Sequence, residues 1–189
     1  MKRILPRALT TCILLSGYIA SAYSATGDTT NIDITINVTG RTCQFSKATD
    51  TIQLEPVRVE DFIHTSRIIG IKEVPVSISC SNNVDTVKIH VKGEPAYFNN
   101  GSAPSTLHPG LFQNTGTARH IGLAFMDKDN KQMSSVNDGN SVVVTLENGE
   151  ATYVFKAGYG ALVYSDMGGA QHVTGGSFQS SVHLTFDYS

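Results

Sequence analysis

The sequence predicts an all-β sandwich, and three observations carry that prediction. Short stretches of alternating apolar and polar residues recur along the 189-residue chain, separated by turns rich in Gly, Asn, Asp and Pro. No segment offers a convincing amphipathic helix, and Asp61 to Lys72 holds at most a short helical turn. Two cysteines, Cys43 and Cys80, remain once an export leader is set aside, enough for one disulfide. Many short strands, turn signals and a single bridge together indicate a two-sheet β domain.

The chain opens on a segment that reads as a secretory signal peptide. Lys2, Arg3 and Arg7 precede an apolar run centred on Ile13-Leu14-Leu15, followed by small residues, with Ala20-Ser21-Ala22 and Ala22-Tyr23-Ser24 as competing cleavage sites. The apolar run falls short of the ~20 residues a spanning helix requires. Cys12 lies inside that run and would leave with residues 1–24. The formal net charge of -2 contains the leader's three basic residues and none of its own acids, so the exported part is more acidic by three charges. An acidic balance without a basic run offers no electrostatic footprint for nucleic acid.

In an oxidising compartment Cys43 and Cys80 are expected to pair. Such a bridge closes a loop of about 38 residues, worth roughly 4 kcal/mol in the chain-entropy model. The alternative, a metal site, needs more ligands than two isolated cysteines and scattered histidines supply.

The first strand signal is Asn31 to Gly40, where Ile32, Ile34, Ile36 and Val38 alternate with small polar residues. Val76, Ile78 and Cys80 alternate next, Ser81-Asn82-Asn83 turns, and Val87, Ile89 and Val91 resume, so these two strands are expected to pair as neighbours. From Gly93 to about Arg119 runs a long polar connection with Leu107, Leu111 and Phe112 as apolar anchors. Ile121, Leu123 and Phe125 alternate again, and Asp127 to Lys131 supplies a turn whose Asp-x-Asp lacks the glycine and bidentate Glu of a calcium loop. Val142, Val144 and Leu146 lead into Glu147-Asn148-Gly149-Glu150, and Tyr153, Phe155 and Ala157 lead out, as in a hairpin closed by a type I′ turn. After Gly176, Phe178 precedes a final strand with Val182, Leu184, Phe186 and Tyr188 on one face and Ser181, His183, Thr185 and Asp187 on the other.

The leader, the front strand Asp33 to Gly40, the Cys43/Cys80 spacing, the block Tyr153-Val154-Phe155-Lys156-Ala157-Gly158-Tyr159, Gly176 and the penultimate Tyr188 together resemble a chaperone-usher pilin, most closely the minor, adaptor-type subunits of type 1-like fimbriae. The resemblance covers essentially the whole exported chain. It implies an incomplete immunoglobulin-like sandwich that lacks its final strand and is completed by a donor strand. Residues 25–42 would then be an N-terminal donor-strand extension and residues 43–189 the pilin domain. It further implies that Ile32, Ile34, Ile36, Val38 and Gly40 fill a neighbour's groove. Burying the four aliphatic side chains would contribute roughly 6 to 12 kcal/mol before ordering costs. Val182, Leu184, Phe186 and Tyr188, with Gly176 and Phe178 ahead of them, would form the edge offered first to a periplasmic chaperone and then, at the outer-membrane usher, to the neighbouring subunit. The expected location is a fimbrium on the bacterial surface, reached through the periplasm.

One departure is Glu55, which stands where the family often has a glycine after its first cysteine. Alternation alone favours another arrangement, with residues 31–40 an ordinary first strand of a complete sandwich; the leader, the cysteine spacing and the C-terminal pattern favour the donor. A second functional alternative is a single-domain adhesin binding a host glycan or protein receptor, through Tyr97, Phe98, Asn99, Asn100 and His108. The family's two-domain tip adhesins are much longer and lack a donor strand. Catalysis finds no support: the six histidines show no metal-ligand spacing, and there is neither a Gly-x-Ser-x-Gly elbow nor a glycine-rich strand-to-helix loop. No cofactor is implied.

Overall fold

Alternation of apolar and polar residues builds eleven strands in the part of the chain that the computed structural model describes, residues 30–37, 43–47, 51–62, 68–81, 84–98, 106–136, 140–162 and 173–188. In chain order they are β1 (Thr30–Asn37), β2 (Cys43–Lys47), β3 (Thr51–Ile52), β4 (Ile69–Cys80), β5 (Thr86–Lys92), β6 (Pro95–Phe98), β7 (Thr106–Gln113), β8 (Ile121–Met126), β9 (Ser141–Thr145), β10 (Glu150–Ala161) and β11 (Phe178–Tyr188). The leader, Val38 and Gly40 lie outside the described residues. Where a helical turn is expected, over Asp61 to Lys72, a 3-10 turn at Val59–Phe62 overlaps the first two residues, residues 63–67 lie outside the described ones, and Ile69 onward is strand.

Two sheets form the sandwich, one ordered β3-β1-β11-β5-β9 and the other β2-β4-β10-β8-β7-β6. Period-2 patterning sends one row of each strand inward: Val74, Val76 and Ile78 from β4, Val87, Ile89 and Val91 from β5, Phe155 and Tyr159 from β10, Val182, Leu184 and Phe186 from β11. Aromatic contacts cross between the sheets. Phe45 stacks on Phe186 with ring centroids 3.9 Å apart, and Tyr159 meets Phe178 edge-on at 5.0 Å. Cys43 stands directly opposite Cys80 in the β2–β4 pair and is bonded to it.

Three local expectations change. The strands around Ser81-Asn82-Asn83 do not pair with each other: β4 lies between β2 and β10, whereas β5 lies between β11 and β9. Their apolar rows face one core from opposite sides, which the alternation of either strand satisfies equally well. The Asn148-Gly149 turn does form, with φ of 53° and 79° and reciprocal backbone bonds between Glu147 and Glu150, as a type I′ turn requires. Its flanking strands then part, β9 to pair with β5 and β10 with β4 and β8. The turn therefore joins the sheets rather than closing a long hairpin.

The long connection expected after Gly93 contains strands of its own. β6 and β7 form an antiparallel hairpin that extends the six-stranded sheet beyond β8. Its apolar anchors divide between the faces: Phe112 enters the main core, while Leu111 joins Ala96, Ala124 and Leu162 in a second cluster. Leu111 lies so close over Gly160 that a Cβ there would stand 2.5 Å from its Cδ2.

Candidate functional site

Strand addition requires a sheet edge with backbone groups to pair and side-chain pockets beside it. The seam between β3 and β11 has both, and β1 fills it. β1 runs parallel to β11 over its whole length, from Thr30 opposite Phe178 to Asn37 opposite Thr185. On its other side it meets only the two residues of β3, antiparallel, with Ile32 opposite Ile52 and Asp33 opposite Thr51. The β1–β11 pairing is the one parallel ladder among the described residues.

The structure brings most of the sequence-derived site residues to this seam. Ile32 and Ile34 are buried in the chain's own core at 0% and 2% exposure, where each contributes about 1.5 to 3 kcal/mol of apolar burial. Ile36 stands opposite Leu184 in the ladder. Facing them, Phe178, Val182, Leu184 and Phe186 are buried, and Tyr188 is half-buried near Phe45, ring centroids 6.4 Å apart. Gly176 lies just before β11 at a φ of +151°, and a Cβ there would meet the Ala118 nitrogen at 2.6 Å, so glycine alone fits this approach.

On the outer face, Asp33 is the fastener of β1. Its carboxylate accepts long bonds from the Thr51 hydroxyl at 3.5 Å and the Gln179 amide at 3.4 Å. Such bonds are weak by length and by exposure.

The opposite edge of β11 is tied differently. Asn114 accepts bonds from the Gln179 and Gly116 nitrogens, both at 2.9 Å, and donates to the Ala118 carbonyl at 2.8 Å. Thr115 N donates to the Gln179 carbonyl at 2.7 Å, and Thr117 and Ser177 bond each other reciprocally. Neither Asn114 nor Ser180, an inward residue of β11 buried to 1% exposure, was singled out in the sequence. Ser180 was legible there, since it falls in phase with Phe178 and Val182; Asn114 carried no local signal.

Of the sugar-type constellation, the two residues whose side chains are described, Tyr97 and His108, do not converge. Ala96 pairs with His108 and Tyr97 with Leu107, so Tyr97 and His108 point to opposite faces of the β6–β7 hairpin. Tyr97 is exposed, whereas burial holds His108 below the usual imidazole range. Asn99 and Asn100 lie outside the described residues. Asp127 directs a carboxylate oxygen to the nitrogens of Asp129 and Lys131, at 2.9 and 2.8 Å, closing its own turn. Among the described residues no cluster of three or more His, Cys, Asp or Glu could hold a metal.

A two-sheet β sandwich with one disulfide is what this chain has in common with pilus subunits of known structure. The chain belongs to the fimbrial protein family: the family model, described as Fimbrial protein, matches residues 31–189. Its fold is similar to that of the P pilus rod subunit PapA, with a TM-score of 0.57 and 17% identity, covering 79% of this chain and 100% of that one. A subunit from a chaperone-usher pilus structure concerned with rod uncoiling matches over 100% of both chains at 16% identity and a TM-score of 0.56. The CupB6 tip adhesin of Pseudomonas aeruginosa matches at 12% identity and a TM-score of 0.52 over 84% of this chain but 36% of its own. No curated protein sequence matches the chain.

Proposed function

We propose that this protein is a structural, non-catalytic subunit of a chaperone-usher fimbria, of minor or adaptor type, assembled by donor-strand exchange and contributing to adhesion. The observation that carries this reading is the lodging of β1. It enters the five-stranded sheet as a separate parallel strand between β11 and the two-residue β3, before the disulfide-bonded strands begin. Lifted out, it would leave β11 with an unpaired edge from Phe178 to Thr185 and an apolar slot behind it, the two things a strand from another molecule can complete. The same segment, with Ile32, Ile34, Ile36 and Val38 at every second position of its sequence, has the pattern needed to fill such a slot elsewhere. Neighbouring pilin subunits, a periplasmic chaperone and an outer-membrane usher are the partners this assembly calls for. A leader of residues 1–24, an extension of residues 25–42 and a domain of residues 43–189 fit it, as does a fimbrial location on the cell surface.

The test compares the exported chain without residues 25–40, alone and with a copy of residues 31–40 fused behind the C-terminus. The expected outcome is aggregation or a low melting temperature for the first, and a stable monomer for the second. A stable, monomeric protein lacking residues 25–40 without any added strand would sink the reading. The adaptor role is separated from adhesion by glycan and cell binding of the strand-complemented form, for which no binding is expected.

A further inference from the structure

The inward row of β11 is Phe178, Ser180, Val182, Leu184 and Phe186, all apolar except one. Ser180 is 1% exposed, and its Oγ finds no hydrogen-bond partner among the described residues. A buried hydroxyl without a partner is destabilising, so a native one asks for an explanation. The location narrows it. Ser180 stands opposite Ile32 of β1, and Ile32 is itself opposite Ile52 of β3, so the residues that cross the seam at this level are aliphatic. Strands in a sheet lie about 4.8 Å apart with opposed residues on one face. The side chain at the level of Ile32 is therefore the seam's nearest approach to the hydroxyl. The preceding residue of β11 has its N–H and carbonyl engaged by Asn114 and Thr115 on the far edge. What is missing is a polar side chain on the incoming strand.

We propose that Ser180 is the specificity-determining residue of the strand-accepting slot. The occupant it is built for is the donor strand of a neighbouring subunit that presents a hydroxyl or carboxamide side chain at this level and aliphatic side chains at the others. The chain's own β1 in its present register is a mismatched occupant at this level, whereas Ile34 is buried beside the apolar Val182. This inference rests on the donor-strand reading above and deepens it by naming the chemistry of the donor.

Two experiments on the full exported chain test it. In the first, Ser180→Ala, Ile32→Thr and the double variant are unfolded at equilibrium. Ser180→Ala is expected to raise the melting temperature by about 2–4 °C. Ile32→Thr is expected to lower the folding constant about five-fold less with Ser180 present than with Ser180→Ala, because the two hydroxyls pair. Ile32→Val, which brings no hydroxyl, should cost the same in both backgrounds. A destabilising Ser180→Ala, or a cycle without coupling, overturns the assignment.

In the second, labelled peptides copying residues 30–37, with Ile or Thr at the level of Ile32, are offered in excess to the chain and to its Ser180→Ala variant. Capture should shift toward the Thr peptide about five-fold on the chain relative to the variant. Capture of both peptides in the same ratio on both chains overturns the Ser180 assignment alone. Capture of neither peptide, with the coupling of the first experiment intact, overturns the strand-exchange reading and Ser180's role in it.

Discussion

The two edges of β11 are built from one strand and behave as opposites. Toward β5 and the 114–118 loop, β11 is antiparallel or tied by short bonds. Asn114 alone engages three backbone groups, and Gly176 lets the loop approach within contact. Toward β1 the ladder is parallel, its side-chain fasteners are two long bonds to one half-exposed carboxylate, and one buried hydroxyl is left unmatched. Parallel pairing is slightly weaker per residue than antiparallel. Both edges share the same apolar core, so hydrophobic burial does not separate them. The difference teaches that side-chain hydrogen bonding, and not apolar burial, distinguishes the two edges of this strand.

The comparison can be broken most forcefully at Ile34. Ile34→Ala should cost about 2–5 kcal/mol by denaturant unfolding. It should also speed hydrogen exchange along Thr30–Asn37 well before it affects the β5–β11 pairing; equal acceleration on both edges would show that β1 is as permanent as β5.

Asn114→Ala attacks the fixed edge and is expected to cost about 1–3 kcal/mol, by stranding backbone groups that its side chain serves. Its exchange signature should be the reverse, confined to 114–118 and 176–179. Asp33→Ala, which removes only long and solvent-screened bonds, should stay within about 0.5 kcal/mol. A loss comparable to that of Asn114→Ala would mean that β1 is fastened from outside the core.

The smallest effect belongs to His108, away from both edges. Burial lowers its pKa in the folded state, so the unfolded chain binds the proton more readily. The stability due to the neutral ring is complete above about pH 6.5, the ordinary imidazole value, and is lost as pH falls through the lowered folded value. His108→Gln should flatten the stability profile in that window.

Much of this was legible in the sequence. The inward rows of β1, β4, β5, β8, β10 and β11 follow from alternation, since a pleated strand sends every second side chain to one face. The Asn148-Gly149 turn follows from its tolerance of positive φ, and the disulfide from two cysteines expected to reach an oxidising compartment. The errors share a cause. The pairing expected between β4 and β5, and the hairpin expected around Asn148-Gly149, assumed that strands adjacent in sequence lie in one sheet. An apolar row specifies that a strand faces a core, and a sandwich offers that core to two sheets. The β6–β7 hairpin was read as a connection because its strands carry Pro95, Pro109 and Gly110 at a sheet margin, where edge positions tolerate such residues.

The sequence by itself determined which rows of these strands are apolar, where the chain turns, and that Ile32, Ile34, Ile36 and Val38 alternate with polar residues. Only the tertiary structure decided which sheet each strand joins, that β1 lodges beside β11 in parallel, that Asn114 clamps the far edge, and that Ser180 meets an aliphatic residue across the seam. Side-chain alternation is a property of one strand at a time. Neighbours, direction and register are properties of pairs, decided by contacts between residues as distant as Asp33 and Gln179.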